Sequence, residues 1–252
     1  MILWSWNVNG LRAVMTKGFA EVLKTEAPDI LCLQETKLQG DQIPKPLRAP
    51  EGYHVYWHHA ERKGYSGVAL FSKVEPREVT TSLGEERFDR EGRVLRAVYH
   101  DFVLYGVYFP NGQRDDERLQ YKLAFYDRMF EVMQQDVAAG HNVLVCGDVN
   151  TAHKPIDLAH PKQNEKTSGF LPIERAWLDK LMDNGWVDTF RHFDDRSDQY
   201  SWWSYITRAR DRNVGWRIDY VLANQRFLPR VKRAFIRQDI MGSDHCPVGV
   251  EL

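Results

Sequence analysis

Ile2–Trp6 alternates in the manner of a strand. Phe19, Val22 and Leu23 then take helical spacing, and Thr16 upstream is the expected cap of that helix. Asp29–Leu33 reads as a buried strand that ends at Gln34-Glu35. Strand-like runs follow at Tyr53–Trp57, Val68–Phe71, Val94–Tyr99 and Val103–Tyr108, with Gly64, Gly67, Gly84 and Gly92 as breaks between them. The middle of the first half is therefore β-rich, and antiparallel pairing is expected there. Leu119, Leu123, Tyr126, Phe130, Met133 and Val137 step by three or four residues, the clearest amphipathic helix in the chain, with Gly140 just past its end. Asn142–Cys146 is the next buried strand.

A similar progression fills the second half. A loop at 151–171 leads to a helix over about Ile173–Met182, stopping near Gly185, and to strands near Arg217–Leu222, Val231–Ile236 and Pro247–Leu252. The pattern predicts two β-rich halves, each with its helices. No low-complexity linker or short repeat divides them, so 1–252 is read as one domain. The polar stretches 151–171 and 192–214 exceed the usual connection length, which points to function or to disorder.

Composition narrows the picture. With 43% hydrophobic and 27% charged residues, the 252-residue chain has material for a full core. Lys plus Arg number 34 against 35 Asp plus Glu, so any nucleic-acid contact must rest on local charge. Cys32, Cys146 and Cys246 are too few and too scattered for a disulfide framework or a four-cysteine zinc site, and a reducing compartment fits them. The start, Met1-Ile-Leu-Trp-Ser-Trp, has neither the basic segment nor the apolar run of a secretion signal, and no later run approaches membrane-spanning length. A cytoplasmic protein is expected, with no tail ahead of the first strand. Eight tryptophans, concentrated in the last third, invite a stacking surface, although buried aromatics are the commoner reading.

The informative polar residues sit where strands end. Asn7 and Asn9 follow the first, Glu35 the second, Asp148 and Asn150 follow Val143–Cys146, Asp219 lies in Arg217-Ile-Asp-Tyr, and Asp244-His245 precedes the last. Singly, each reads as a turn former or helix cap. Together, carboxylates and amides at the ends of several core strands would converge on one edge of the fold. Such oxygen donors suit Mg²⁺ or Mn²⁺ rather than zinc. A catalytic His245 needs an orienting carboxylate, and Asp219 is a candidate if the two strands are neighbours; spacing alone does not establish that contact.

Six segments, Ser5-Trp-Asn-Val-Asn-Gly-Leu-Arg-Ala, Leu33-Gln-Glu-Thr-Lys, Tyr108-Phe-Pro-Asn, Gly147-Asp-Val-Asn-Thr-Ala-His, Gly215-Trp-Arg-Ile-Asp-Tyr and Gly242-Ser-Asp-His-Cys-Pro, resemble in order the signatures of exonuclease III-type abasic-site endonucleases. The resemblance spans the whole chain. It implies a four-layer α/β sandwich, two mixed β-sheets packed face to face with helices outside, and a site at one rim. It implies a DNA-repair phosphodiesterase that cuts 5′ to abasic sites and also has 3′-phosphodiesterase, 3′-phosphatase and 3′→5′ exonuclease activity. Its partner would be double-stranded DNA with abasic sites or blocked 3′ ends. A monomer with no membrane association and no obligate protein partner is expected.

Carried over by motif, Glu35 is the main ligand for Mg²⁺, or Mn²⁺ in its place, supported by Asn7, Asn9 and Asp244, with Asp148, Asn150 and His245 close by. Some relatives have Asp at the motif position of Asn9, so this chain offers its metal one less charge. Asp148 would orient or deprotonate the attacking water, and Asn150 would fix Asp148 and stabilise the developing charge. His245, paired with Asp219, would bind a phosphate oxygen, and Tyr108 would do likewise or assist the leaving group. Asn111, Arg114 and Asn164 match DNA-contacting positions, although Arg114 beside Asp115-Asp-Glu also reads as a solvated charge. Thr167 stands where many relatives have a second Asn. Trp202 and Trp216 match the walls of an abasic-sugar pocket, or else are ordinary core aromatics. An enzyme of the same fold acting on inositol phosphates or phospholipids should lack Gly215-Trp-Arg-Ile-Asp-Tyr and the Asn164 loop. A catalytically dead DNA-binding module should not retain the full polar set.

Overall fold

The computed structural model describes residues 1–252. Its strands run β1 (Ile2–Asn7), β2 (Ile30–Gln34), β3 (His54–His58), β4 (Val68–Ser72), β5 (Glu78–Thr80) and β6 (Val94–Val98). They continue with β7 (Val103–Tyr108), β8 (Val143–Asp148), β9 (Trp186–Asp188), β10 (Asp219–Asn224), β11 (Arg233–Ile236) and β12 (Val248–Glu251). The helices are α1 (Leu11–Met15), α2 (Phe19–Glu26), α3 (Lys45–Arg48), α4 (Glu86–Asp89), α5 (Asp116–Ala138), α6 (Pro161–Asn164), α7 (Pro172–Asp183) and α8 (Thr189–Phe193).

Two six-stranded sheets form, ordered β11-β12-β1-β2-β4-β3 and β5-β6-β7-β8-β10-β9. Each is mixed: β1 and β2 are parallel in one, β7 and β8 in the other, and every other pair is antiparallel. The antiparallel pairing expected in the first half holds within β3-β4 and β5-β6-β7, but these groups belong to different sheets. The division into two halves fails for the same reason. After building the second sheet, the chain returns with β11 and β12 to pair beside β1.

Strand periodicity accounts for the layers. Leu3, Ile30, Cys32, Leu104, Leu144, Cys146, Val221 and Ala223 meet in one buried cluster between the sheets. Their strand neighbours face outward: Trp4, Trp6, Leu31 and Leu33 pack under Phe19 and Leu23 of α2. On the other side Val103, Val107, Val143, Val145 and Leu222 pack under Phe125 and Met129 of α5 and Leu178 of α7. Successive side chains of a strand point to opposite faces, so three apolar layers require helix, sheet, sheet and helix.

Two details correct the sequence reading. Thr16 does not cap α2; it ends α1, donating its hydroxyl to Ala13 O, and α2 starts from Gly18 at φ 97°. The stretches 151–171 and 192–214 contain short helical turns at Pro155–Asp157, Pro161–Asn164 and Ala209–Arg212. Asp115 caps α5 by accepting from Arg118 N at 2.7 Å. No helix is long and apolar enough to cross a membrane. All three cysteines are free and buried.

Gly147 shows how tightly β8 meets β7. A Cβ there would lie 1.8 Å from Val107 O, with φ at +150°. Gly147→Ala should cost about 3 kcal/mol or more, because the obstacle is backbone. Gly140, at φ +90° with nothing within 4 Å, should lose only about 1–2 kcal/mol as Ala. Urea unfolding of both variants checks this; equal losses would contradict the account.

Candidate active site

The inward-facing strand positions that carry apolar residues through the core end in polar ones at a single rim. On β1 the series is Leu3, Ser5, Asn7; on β8 it is Leu144, Cys146, Asp148; on β10 it runs back from Ala223 and Val221 to Asp219. Register sets Tyr108 and Asp219 on either side of Asp148. Asn7 pairs with Gln34, which puts Glu35 at the same level in the facing sheet.

Asp148 is the hub. Its Oδ2 accepts from Asn7 Nδ2 at 2.9 Å and Asn150 Nδ2 at 3.1 Å, and its Oδ1 from Asn150 N at 2.8 Å. His245 Nε2 lies 3.9 Å from Oδ2. The loop between β11 and β12 carries His245, and Trp6 Nε1 donates to its carbonyl at 3.1 Å. The anticipated partnership with Asp219 is present: Nδ1 is 2.8 Å from Oδ2, which also accepts from Ser201 Oγ at 2.7 Å. Asp219 Oδ1 is buried without a partner.

Glu35 accepts from Asn7 Nδ2 at 2.9 Å and pairs with Lys37 at 2.8 Å. Ligand atoms of Glu35, Asp148 and His245 all lie within 4.8 Å of one another, a group that could hold a metal ion. The two carboxylates suit a hard divalent cation, whereas an imidazole nitrogen is a poorer match to it. Asn7 turns its amide nitrogen toward both carboxylates, while its oxygen accepts from Asn9 N at 2.9 Å. In this conformation it supplies donors rather than a ligand oxygen. Asn9 Oδ1 is likewise engaged, by Lys37 Nζ at 2.5 Å, and Asn9 Nδ2 donates to Asp244 Oδ1 at 3.0 Å. Asn9, Glu35, Lys37 and Asn150 all have φ between 46° and 56°, a conformation asparagine tolerates but which strains the other two.

The surroundings shift protonation. Burial works against a charge on His245, but Asp219 outweighs it and the ring is pushed up to about 10. Burial, then Asp219, pushes Asp148 up to about 7. Burial opposes ionisation of Glu35, yet Lys37 holds it below the ordinary carboxylate value. Burial and then Glu35 keep the Tyr108 phenol well above its ordinary value, so it remains a donor. Arg93, wholly buried, stacks 4.6 Å from the Tyr108 ring centroid and donates to the Tyr108 carbonyl at 3.0 Å.

A cavity of about 490 Å³ opens over this floor, lined by Glu35, Tyr108, Asn111, Asp148, Asn150, Asn164, Thr167, Trp202, Trp216, Asp244 and His245 among others. Trp202 and Trp216 exchange backbone hydrogen bonds at 2.9 Å and meet edge to face, 6.3 Å between centroids. Trp202 Nε1 donates to Asp244 Oδ2 at 3.2 Å, Asn111 Nδ2 to Asn150 Oδ1 at 3.0 Å, and Asn164 Nδ2 to His160 O at 3.0 Å. Arg114 is not among them. Its side chain is 70% exposed, pairs with Asp115, and lies in a separate depression with Arg62, Tyr65, Arg90 and Arg118. Lys37, Arg93 and Ser201 escaped the sequence reading; only Lys37, inside a quoted motif, carried any signal.

A model of the Endonuclease/Exonuclease/phosphatase family matches residues 4–245, and the chain belongs to that family. Within it, the chain is similar to the exodeoxyribonuclease of Bacillus subtilis, 46% identical and covering 98% of each chain. It is 40% identical to a DNA-(apurinic or apyrimidinic site) endonuclease of Dictyostelium discoideum, covering 99% of this chain and 70% of that one. A 3′-5′ exonuclease from Neisseria meningitidis superposes with TM-score 0.92 at 28% identity, covering 100% and 99% of the two chains.

Beneath Trp216, Arg217 is fully buried and donates to Asp157 Oδ1 at 2.8 Å and Asp188 Oδ2 at 2.6 Å. Burial opposes the charge on Asp157, but Arg217 and Arg191 hold it down at about 2. An unfolded aspartate titrates near ~3.9, so this stabilisation is complete above roughly pH 4 and is lost as pH falls through about 2. Asp157→Asn should cost about 3 kcal/mol at neutral pH, with the difference from wild type narrowing below pH 4. A difference constant from pH 7 to pH 2 in denaturant unfolding would contradict the assignment.

Proposed function

We propose that this chain is a DNA-repair nuclease that hydrolyses the backbone 5′ to abasic sites and processes 3′ ends of duplex DNA. The observation that carries the reading is the joining of Glu35, Asp148 and His245 from two sheets at the floor of a tryptophan-walled cavity. Family membership and the activities named for its relatives support it.

Asp148 accepts three hydrogen bonds and has His245 nearby, which suits it to orient a water and take its proton. Tyr108 and protonated His245 are donors around the same space, matched to the oxygens of a phosphate that gains charge during attack. Asn150 spends its amide hydrogens on Asp148 and on Phe109 O, and so holds the base in place. Asp219 and Ser201 fix the imidazole so that Nε2 faces the cavity. We assign Mg²⁺, with Mn²⁺ as substitute, to Glu35 and its carboxylate neighbours, where it would neutralise charge on the leaving 3′ oxygen. Trp202 and Trp216 wall a space suited to a sugar without its base. An abasic nucleotide has already lost pairing and stacking, so extruding it costs less than the few kcal/mol needed for an intact one. The phospholipid or inositol alternative is disfavoured by the Gly215–Tyr220 segment, which supplies Trp216 of this wall and which such enzymes should lack.

The test uses three duplexes, bearing a single abasic site, a recessed 3′-hydroxyl and a 3′-phosphate, with Mg²⁺ and then with excess chelator. Cutting of all three that stops on chelation is expected; no cutting, or cutting undiminished by chelation, contradicts the reading. In the same assay Trp202→Ala should lower the ratio of kcat/KM on abasic over undamaged duplex. A ratio within about twofold of wild type, ~0.4 kcal/mol of differential binding, would make Trp202 a packing residue only.

A further inference from the structure

Lys122 on α5 and Glu174 in the first turn of α7 form an ion pair with both side chains 0% exposed, Nζ to Oε1 2.6 Å. An ammonium has three protons to donate. The other two go to Asn150 O at 2.8 Å and Thr151 Oγ1 at 2.9 Å. Glu174 is equally committed: Oε1 also accepts from Ser168 Oγ at 2.8 Å, and Oε2 from Gly169 N at 2.6 Å and Leu171 N at 3.1 Å. One buried pair therefore grips two loops. The first carries Asp148 and Asn150; the second, 164–171, forms a wall of the same cavity.

The two loops also touch directly, through Ala152 N to Gly169 O at 2.8 Å. Gly169, at φ +99°, has room for a Cβ only 3.2 Å from the Trp216 ring, so the second loop is pressed against the aromatic wall. On the first loop, Lys122 holds the carbonyl of Asn150, a residue at φ 56° whose N–H and side chain both donate to Asp148. Burying such a pair is costly, and an apolar pair of similar volume would serve stability as well or better. What an apolar pair lacks is five directed hydrogen bonds into two loops.

We propose that Lys122 and Glu174 are positioning residues, which fix the Asp148–Asn150 loop and the 164–171 wall relative to one another for catalysis. Neither touches substrate. The inference rests on the nuclease reading above and assigns within it a division of labour: Lys122 serves turnover through Asn150, and Glu174 serves substrate binding through residues 168–171.

The test is steady-state cutting of the abasic duplex by Lys122→Met, Glu174→Gln and the double variant, each with its melting temperature. Lys122→Met should lower kcat at least tenfold with KM within about threefold. Glu174→Gln should act mainly through KM, raising it fivefold or more. The double variant removes the unpaired buried charge, so it should melt above either single variant while kcat stays at least tenfold low. A merely structural pair would regain activity along with stability. Folded variants with kcat and KM within twofold of wild type overturn the proposal, as does a double variant that recovers wild-type turnover. If Lys122→Met does not fold, Lys122→Gln is measured instead; if no neutral residue at 122 gives a folded chain, the pair is assigned to stability alone and the proposal falls. A wild-type chain that cuts none of the three duplexes contradicts the nuclease reading, whereas active wild type with unaffected variants contradicts only this inference.

Discussion

The hydrogen bond from Asn7 Nδ2 to Asp148 Oδ2, 2.9 Å long, joins β1 of one sheet to β8 of the other. It lies at the edge where the apolar layer between the sheets stops, and it sets what the rest of the rim can be. The same nitrogen donates to Glu35, so two carboxylates are held around one amide. Carboxylates this close repel one another, and both are taken largely out of water. They persist because each is otherwise supplied with donors or a cation: Asn150 for Asp148, Lys37 for Glu35. Sheet packing thus fixes the distance between the groups, and hydrogen bonding makes that distance tolerable.

The return of β11 and β12 to the first sheet completes the arrangement. It carries the 237–247 loop over the rim, so that His245 reaches across to Asp219 of the second sheet while its carbonyl is tied to Trp6 of the first. His245 therefore spans the same seam as Asn7, from the opposite direction. The left-handed backbone at Glu35 and Lys37 belongs to this economy as well. Of order 1–3 kcal/mol of strain per residue is sustained only because neighbouring strands over-determine the loop. The buried Arg217–Asp157–Asp188 group does for Trp216 and Asp219 what the sheets do for Asp148: it fixes the segment that presents them.

Ten of the twelve strands and the long helix were legible because their periods are short and local, whereas β5 and β9, three residues each, are too short to show alternation. Asp148, Glu35, Asp219 and His245 were legible as strand-end residues, and motif order raised them from turn formers to a candidate site. What stayed hidden depends on contacts across many residues. The crossover that assigns β11 and β12 to the first sheet has no local signature. Thr16 carries a capping hydroxyl but stands at the end of a five-residue helix that periodicity did not reveal. Arg114 follows a site motif, yet its exposed side chain turns to Asp115 rather than to the cavity. Arg93 and Lys122 lie in no motif, and their burial rests on groups brought together by the fold: Tyr65 and the Tyr108 carbonyl beside Glu91 for the first, Glu174, Thr151 and the Asn150 carbonyl for the second.

The central claim is that Asp148 and His245, delivered by separate segments, act on the phosphate as one unit. A double-mutant cycle in single-turnover cutting of the abasic duplex tests it, using Asp148→Asn, His245→Ala and both together in folded protein. Each single loss should be about 10²–10⁴-fold. If the two act as one, the double variant is within about threefold of the slower single. Losses that multiply would show two independent contributions and contradict the account.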